Sequence, residues 1–130
     1  MPMTAETRKA LFTALSAALR RRSPPMVCIK ETASACEFIG NIPVLYGSRK
    51  KIVPGMAFAS VVVHRDMISF HFMPIYYHRA EFAAVAPTLV GYLKGKACFN
   101  FRNVDQIDGK ELEALLKKGV QAWKKLGYVR

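Results

Sequence analysis

Apolar residues recur at three- and four-residue steps near both ends of the chain and alternate with polar ones in its middle. Toward the N-terminus, Leu11, Phe12, Leu15, Ala18 and Leu19 make one stripe, which predicts a helix capped by Thr4 and running to about Arg22. Ser23-Pro24-Pro25 ends it, because proline cannot continue the hydrogen-bond ladder. Toward the C-terminus, Asp108 with Glu111 predicts a capping box. Behind it Leu112, Leu115, Leu116, Val120, Trp123 and Leu126 carry a second helical stripe that Gly127 terminates. Glu113 and Lys117 read as an i,i+4 pair on its outer side.

Between the helices the period is two. "MVCIKE" (26–31) and "ACEFIG" (35–40) are short strand candidates, and "VPG" (53–55) punctuates a loop that carries Arg49, Lys50 and Lys51. The clearest pair is "MAFASVVVH" (56–64) with "MISFHF" (67–72), turning at Arg65 and Asp66. That turn sets Val63 opposite Ile68, Val61 opposite Phe70 and Ala59 opposite Phe72, giving one wholly apolar face. The other face is expected to hold Phe58, Ser60, Val62 and His64 beside Met67, Ser69, His71 and Met73. After Pro74 the pattern reads as a loop and one or two short helices, with Pro87 in a first helical turn. "KACFNF" (96–101) is a further strand with Ala97, Phe99 and Phe101 on one side and Cys98 and Asn100 on the other. The order predicts a single α+β domain over 1–130, an antiparallel β-sheet with N- and C-terminal helices packed on one face. Within it, 1–25 is the first helix and its proline-rich end, 26–104 the sheet with short helices, and 105–130 the last helix.

With 130 residues, 52% of them hydrophobic, the chain can bury a core of its own. The formal net charge is +11, from 20 Lys and Arg against 9 Asp and Glu, which favours anionic partners without specifying any. Cys28, Cys36 and Cys98 are odd in number and lack a CxxC pair, so neither a disulfide framework nor a structural zinc site is expected, and a reducing compartment is. Arg20, Arg21 and Arg22 stand where a signal-peptide cleavage site would fall, and no apolar run reaches the roughly 20 residues of a membrane span. A cytoplasmic location follows as the expectation.

His64, His71 and His78 recur every seven residues, a spacing that invites a metal site. On the predicted hairpin, however, His71 lies opposite Ser60, four residues from His64, or about 13 Å along the strand. Metal ligands must converge to within about 2 Å of the ion, so the two histidines cannot share one. If the 96–101 strand neighbours the hairpin, Cys98, Asn100, His71, Ser69 and Ser60 share a face, and thiol, imidazole and amide are the ingredients of cysteine nucleophile chemistry. The plainer reading makes Cys98 a small packing residue and hydrogen-bonds His71 to Ser60. "GYLKGKA" (91–97) has the wrong glycine spacing and no Ser or Thr after Lys96 for a phosphate loop. No free pair of carboxylates is available for acid–base work.

The segments "ASVVVHRDMISFHFMPIYY" and "LKGKACFNF" resemble the YdhG-like family, a bacterial domain of unknown function, over about Met26 to Tyr128. The resemblance implies a frataxin-like α/β sandwich. In some relatives it implies an iron chaperone whose acidic residues lie on the first helix and first strand edge. Here the first helix holds Glu6 alone among Arg8, Lys9, Arg20, Arg21 and Arg22, whereas hard cations want several oxygen ligands. The leading expectation is a non-enzymatic binding domain without cofactor, monomeric or homodimeric. It would use the helix-free sheet face for a small anionic ligand or a protein partner, with His71, Tyr76, Tyr77, Lys96 and Asn100 lining the site. A metal chaperone, a cysteine-dependent enzyme and a weak nucleic-acid binder are the alternatives.

Overall fold

The computed structural model describes residues 3–130. Helix α1 (Ala5–Arg20) leads into strands β1 (Val27–Glu31) and β2 (Ala35–Ile39) and a separate hairpin of β3 (Val44–Tyr46) and β4 (Lys51–Val53). Strands β5 (Ala57–Val63) and β6 (Ile68–Phe72) follow, then a 3-10 turn (Met73–Tyr76) and the short helices α2 (Arg79–Val85) and α3 (Pro87–Val90). Strands β7 (Leu93–Lys94) and β8 (Cys98–Phe101) lead through a second 3-10 turn (Val104–Gln106) to α4 (Gly109–Lys125). Six strands form one antiparallel sheet in the order β1-β2-β5-β6-β8-β7. The protein is α+β, as its sequence predicts.

The β5–β6 register is the predicted one: Val63 opposes Ile68, Val61 opposes Phe70 and Ala59 opposes Phe72. All of these but the partly buried Val63, together with Cys36, Phe38, Phe99 and Phe101, are buried beneath the helices. From α1, Leu11, Leu15, Ala18 and Leu19 enter this core, and from α4, Leu112, Leu115, Leu116, Val120 and Trp123. Gly119 lets α4 approach closely: a Cβ there would stand 2.6 Å from the Phe72 ring. The predicted caps form, Thr4 Oγ1 accepting from the Thr7 amide and the Asp108 carboxylate from the Lys110 and Glu111 amides. Gly127, at φ 83°, ends α4.

Four expectations change. Phe58 is fully buried and lies edge-on to Phe72 and Trp123, because the β2–β5 register slips beside it and the bulge turns its side chain toward the helices. Glu111 does not close its own capping box. Its carboxylate accepts instead from the Thr88 and Leu89 amides, satisfying the free donors at the start of α3. Glu113 pairs not with Lys117 but with Arg21 and Arg22 beyond α1, tying the two long helices together. The loop carrying the basic triplet is the turn of a two-stranded ribbon, in which Val44 pairs with Val53, Leu45 with Ile52 and Tyr46 with Lys51.

Candidate binding face of the sheet

Alternation along each strand sends every second side chain away from the helices. Register then aligns these side chains across the whole sheet. Lys30 opposes Glu37, Glu37 opposes Ser60, Ser60 opposes His71, His71 opposes Cys98 and Cys98 opposes Lys94, one row crossing all six strands. A second row runs Ala35, Val62, Ser69, Asn100. No helix covers these rows: Ser60, Ser69, His71, Cys98 and Asn100 are half-buried and Val62 and Lys94 exposed. Sequence parity therefore brought Ser60, Ser69, His71, Cys98 and Asn100 together correctly.

Adjacency does not make a nucleophile. The Phe72 amide donates to the Ala97 carbonyl at 2.9 Å, so the alternation of the ladder makes His71 and Cys98 the neighbouring non-hydrogen-bonded pair, where side chains stand closest. Even so, among the described residues no hydrogen bond joins His71 to Cys98 or to Ser60, contrary to the Ser60 partner expected from the sequence. Asn100 is not free to orient the imidazole, since its Oδ1 accepts from Ser69 Oγ at 3.0 Å. The His71 ring sits edge-on to Tyr76 with centroids 6.5 Å apart, and burial lowers its pKa below 6.5, favouring the neutral ring. No group of three His, Cys, Asp or Glu among the described residues is placed to hold a metal ion.

The face is divided in two. Around His71 lies a hollow of about 90 Å³ lined by Glu37, Ala57, Ala59, Ser60 and Met73. It shares Glu37 and Ala57 with a space of about 400 Å³ beneath the ribbon, walled by Ile29, Ile39, Tyr46, Val53 and Pro54. At the other end a hollow of about 350 Å³ is lined by Met67, Tyr92, Lys94, Asn100, Arg102 and Gln106, and it contains no carboxylate. Lys94 and Arg102 form no salt bridge among the described residues. Because Ser69 occupies the Asn100 carbonyl oxygen, the amide presents its NH₂ donors.

Of the residues nominated from sequence, His71 and Asn100 lie on this face and Tyr76 borders it, 52% exposed. Tyr77 does not join them: its ring packs edge-on to Trp123, with centroids 5.5 Å apart, among the aromatics beside the helices. Lys96 occupies the exposed β7–β8 turn, and Lys94 is the lysine in register with Cys98. Nothing in the sequence singles out Lys94 or Arg102, because β7 has two residues and no alternation to read and Arg102 follows the last residue of β8. Compared with known proteins, the chain matches no family model, no curated protein and no solved structure. Among the described residues no helix is long and apolar enough to cross a membrane.

Proposed function

We propose that the protein is a non-enzymatic binding domain that takes a small anionic ligand on its helix-free sheet face, at the end formed by Lys94, Asn100 and Arg102. The observation that carries this reading is a hollow whose charged and amide groups converge with two cations and a donor-presenting asparagine, and no acid. Fixed donors without a competing carboxylate favour a carboxylate or phosphate oxygen. The hollow at His71 is small beside the ~300–1,000 Å³ of ordinary ligand sites, so His71 and the Tyr76 ring beside it are left outside the site. The missing hydrogen bond between His71 and Cys98 weighs against a cysteine-dependent enzyme. Membership of the YdhG-like family, with a frataxin-like sandwich, belongs to the same reading and names no reaction.

The test is a titration of the amide-resolved NMR spectrum with inorganic phosphate and, separately, with citrate. Saturable shifts confined to Lys94, Asn100, Arg102 and their neighbours, lost in the Lys94→Ala/Arg102→Ala variant, are the expected result. Shifts that do not saturate, or that centre on the helices, would end the proposal.

A further inference from the structure

The geometry points to the β3–β4 ribbon as a contact for duplex DNA, one that enters the major groove independently of the ligand site proposed above. Leu45 and Ile52, directly opposed across the ribbon, are 62% and 70% exposed, and Tyr46 is 53% exposed. They are the three most exposed large hydrophobic side chains among the described residues. Arg49, Lys50 and Lys51 crown the same ribbon, none of them in a salt bridge among the described residues. No carboxylate occurs in the sequence between Glu37 and Asp66, and Glu37, which lines the space beneath the ribbon, forms no salt bridge with them.

The arrangement selects among occupants. A second copy would bring two such tips together on molecules that each carry +11, so like-charge repulsion opposes self-association here. A bilayer would meet Arg49 and Lys50 first, because the turn lies beyond the Leu45–Ile52 pair. Insertion wants the reverse order, with apolar groups leading and cations behind. DNA meets the order as it stands. The B-form major groove is about 12 Å wide and admits a two-stranded ribbon. Its rims are phosphates for Arg49, Lys50 and Lys51, and its floor offers thymine methyls to Leu45 and Ile52, which share one face of the ribbon. The deep, narrow major groove of A-form RNA does not admit such a ribbon.

The base of the ribbon is held for this use. A Cβ on Gly55 would stand 2.0 Å from the Gly40 carbonyl oxygen, and one on Gly40 would stand 2.3 Å from the Tyr128 carbonyl oxygen. The three backbones are therefore in direct contact. Asn41 adds a clasp to the C-terminus: its Oδ1 accepts from the Arg130 amide at 2.9 Å. The turn is closed by the Lys50 amide donating to the Gly47 carbonyl at 3.0 Å, with both residues at positive φ.

Fluorescence anisotropy with a labelled duplex of about 20 base pairs of mixed sequence, between about 50 and 200 mM salt, tests this. The Arg49→Ala/Lys50→Ala/Lys51→Ala variant is expected to bind at least about tenfold more weakly. Its plot of log affinity against log salt should flatten by about 2 to 3, one for each lost phosphate contact. The Leu45→Ser/Ile52→Ser variant should lose affinity with an unchanged salt slope. The control Lys117→Ala/Lys118→Ala/Lys125→Ala, which removes equal charge from α4, should stay within about threefold of wild type. Far-UV circular dichroism matching wild type shows that each variant is folded. Equal loss in both triple variants would overturn the proposal, and so would no duplex binding by wild type. Tighter binding to single strands, to duplex RNA or to phosphatidylserine vesicles would overturn it as well.

Discussion

The two faces of the six-stranded sheet are built from the same strands and differ in almost everything else. On one, Phe70, Phe72, Phe99 and Phe101 interlock in stacked and tilted pairs beneath α1 and α4, with Phe82 edge-on to Phe72, and all are buried. On the other, their immediate neighbours in sequence, Ser69, His71, Cys98 and Asn100, stand half-exposed with a single side-chain hydrogen bond, from Ser69 to Asn100. Stability therefore resides on the first face, and the second is free to serve recognition.

The comparison breaks most decisively at adjacent residues. Phe72→Ala should lower unfolding free energy by about 3–5 kcal/mol in urea titrations, whereas His71→Ala, one residue earlier, should change it by less than about 1 kcal/mol. Comparable losses at both positions would mean that the outer face is also a structural core. Glycines give a second contrast. Gly119→Ala, which presses a methyl group onto Phe72, should cost about 1–3 kcal/mol. Gly109→Ala, at the open start of the same helix, should gain about 0.4–1 kcal/mol by restricting the unfolded chain.

Titration sharpens the contrast further. Burial holds the folded His71 pKa below 6.5, so the unfolded chain takes up that proton first. Above pH 6.5 His71 contributes nothing to stability. As pH falls below 6.5 it disfavours the folded state, until the folded ring also protonates. His71→Gln should therefore flatten the decline in melting temperature on acidification from neutrality, and the imidazole resonances should titrate with a midpoint below 6.5. The smallest effect is expected at the helix face's outer clasp. Partial burial alone would push Glu113 up, but hydrogen bonds and charge from Arg21 and Arg22 outweigh it and hold the carboxyl below 4.5. Its stabilisation is present above 4.5 and is lost as pH falls through the lower folded value. Glu113→Gln should thus cost about 0–1 kcal/mol at pH 7, and the difference from wild type should vanish in acid.

Period decided what could be read from the residues alone. The alternation of Val61, Val63, Ile68 and Phe70 carried both the hairpin register and the facing of His71, because a shift of one position would expose four aliphatic and aromatic side chains. Phe58 escaped the same logic, since a bulge adds one residue and inverts parity without altering the sequence pattern. The ribbon was hidden by its length: Val44–Tyr46 and Lys51–Val53 are too short to alternate, and Pro43 and Gly47 break the run. For the site, His71 and Asn100 were legible by parity, whereas Lys94 and Arg102 lie where no periodicity extends. Glu111 and Glu113 differ from their local pattern for a further reason. Each satisfies groups distant in the chain, and nearby spacing offered a local partner that tertiary packing outcompeted.

The Gly40, Gly55 and Tyr128 junction has a mechanical consequence. Side chains ordinarily form a compliant layer between neighbouring segments, and here backbone meets backbone with no such layer. The Trp123 indole reinforces the joint by donating to the Met56 carbonyl, which also accepts from the Gly40 amide. A force applied at the tip of the ribbon is thereby transmitted to the end of the final helix, much as a lever transmits load through a stiff fulcrum.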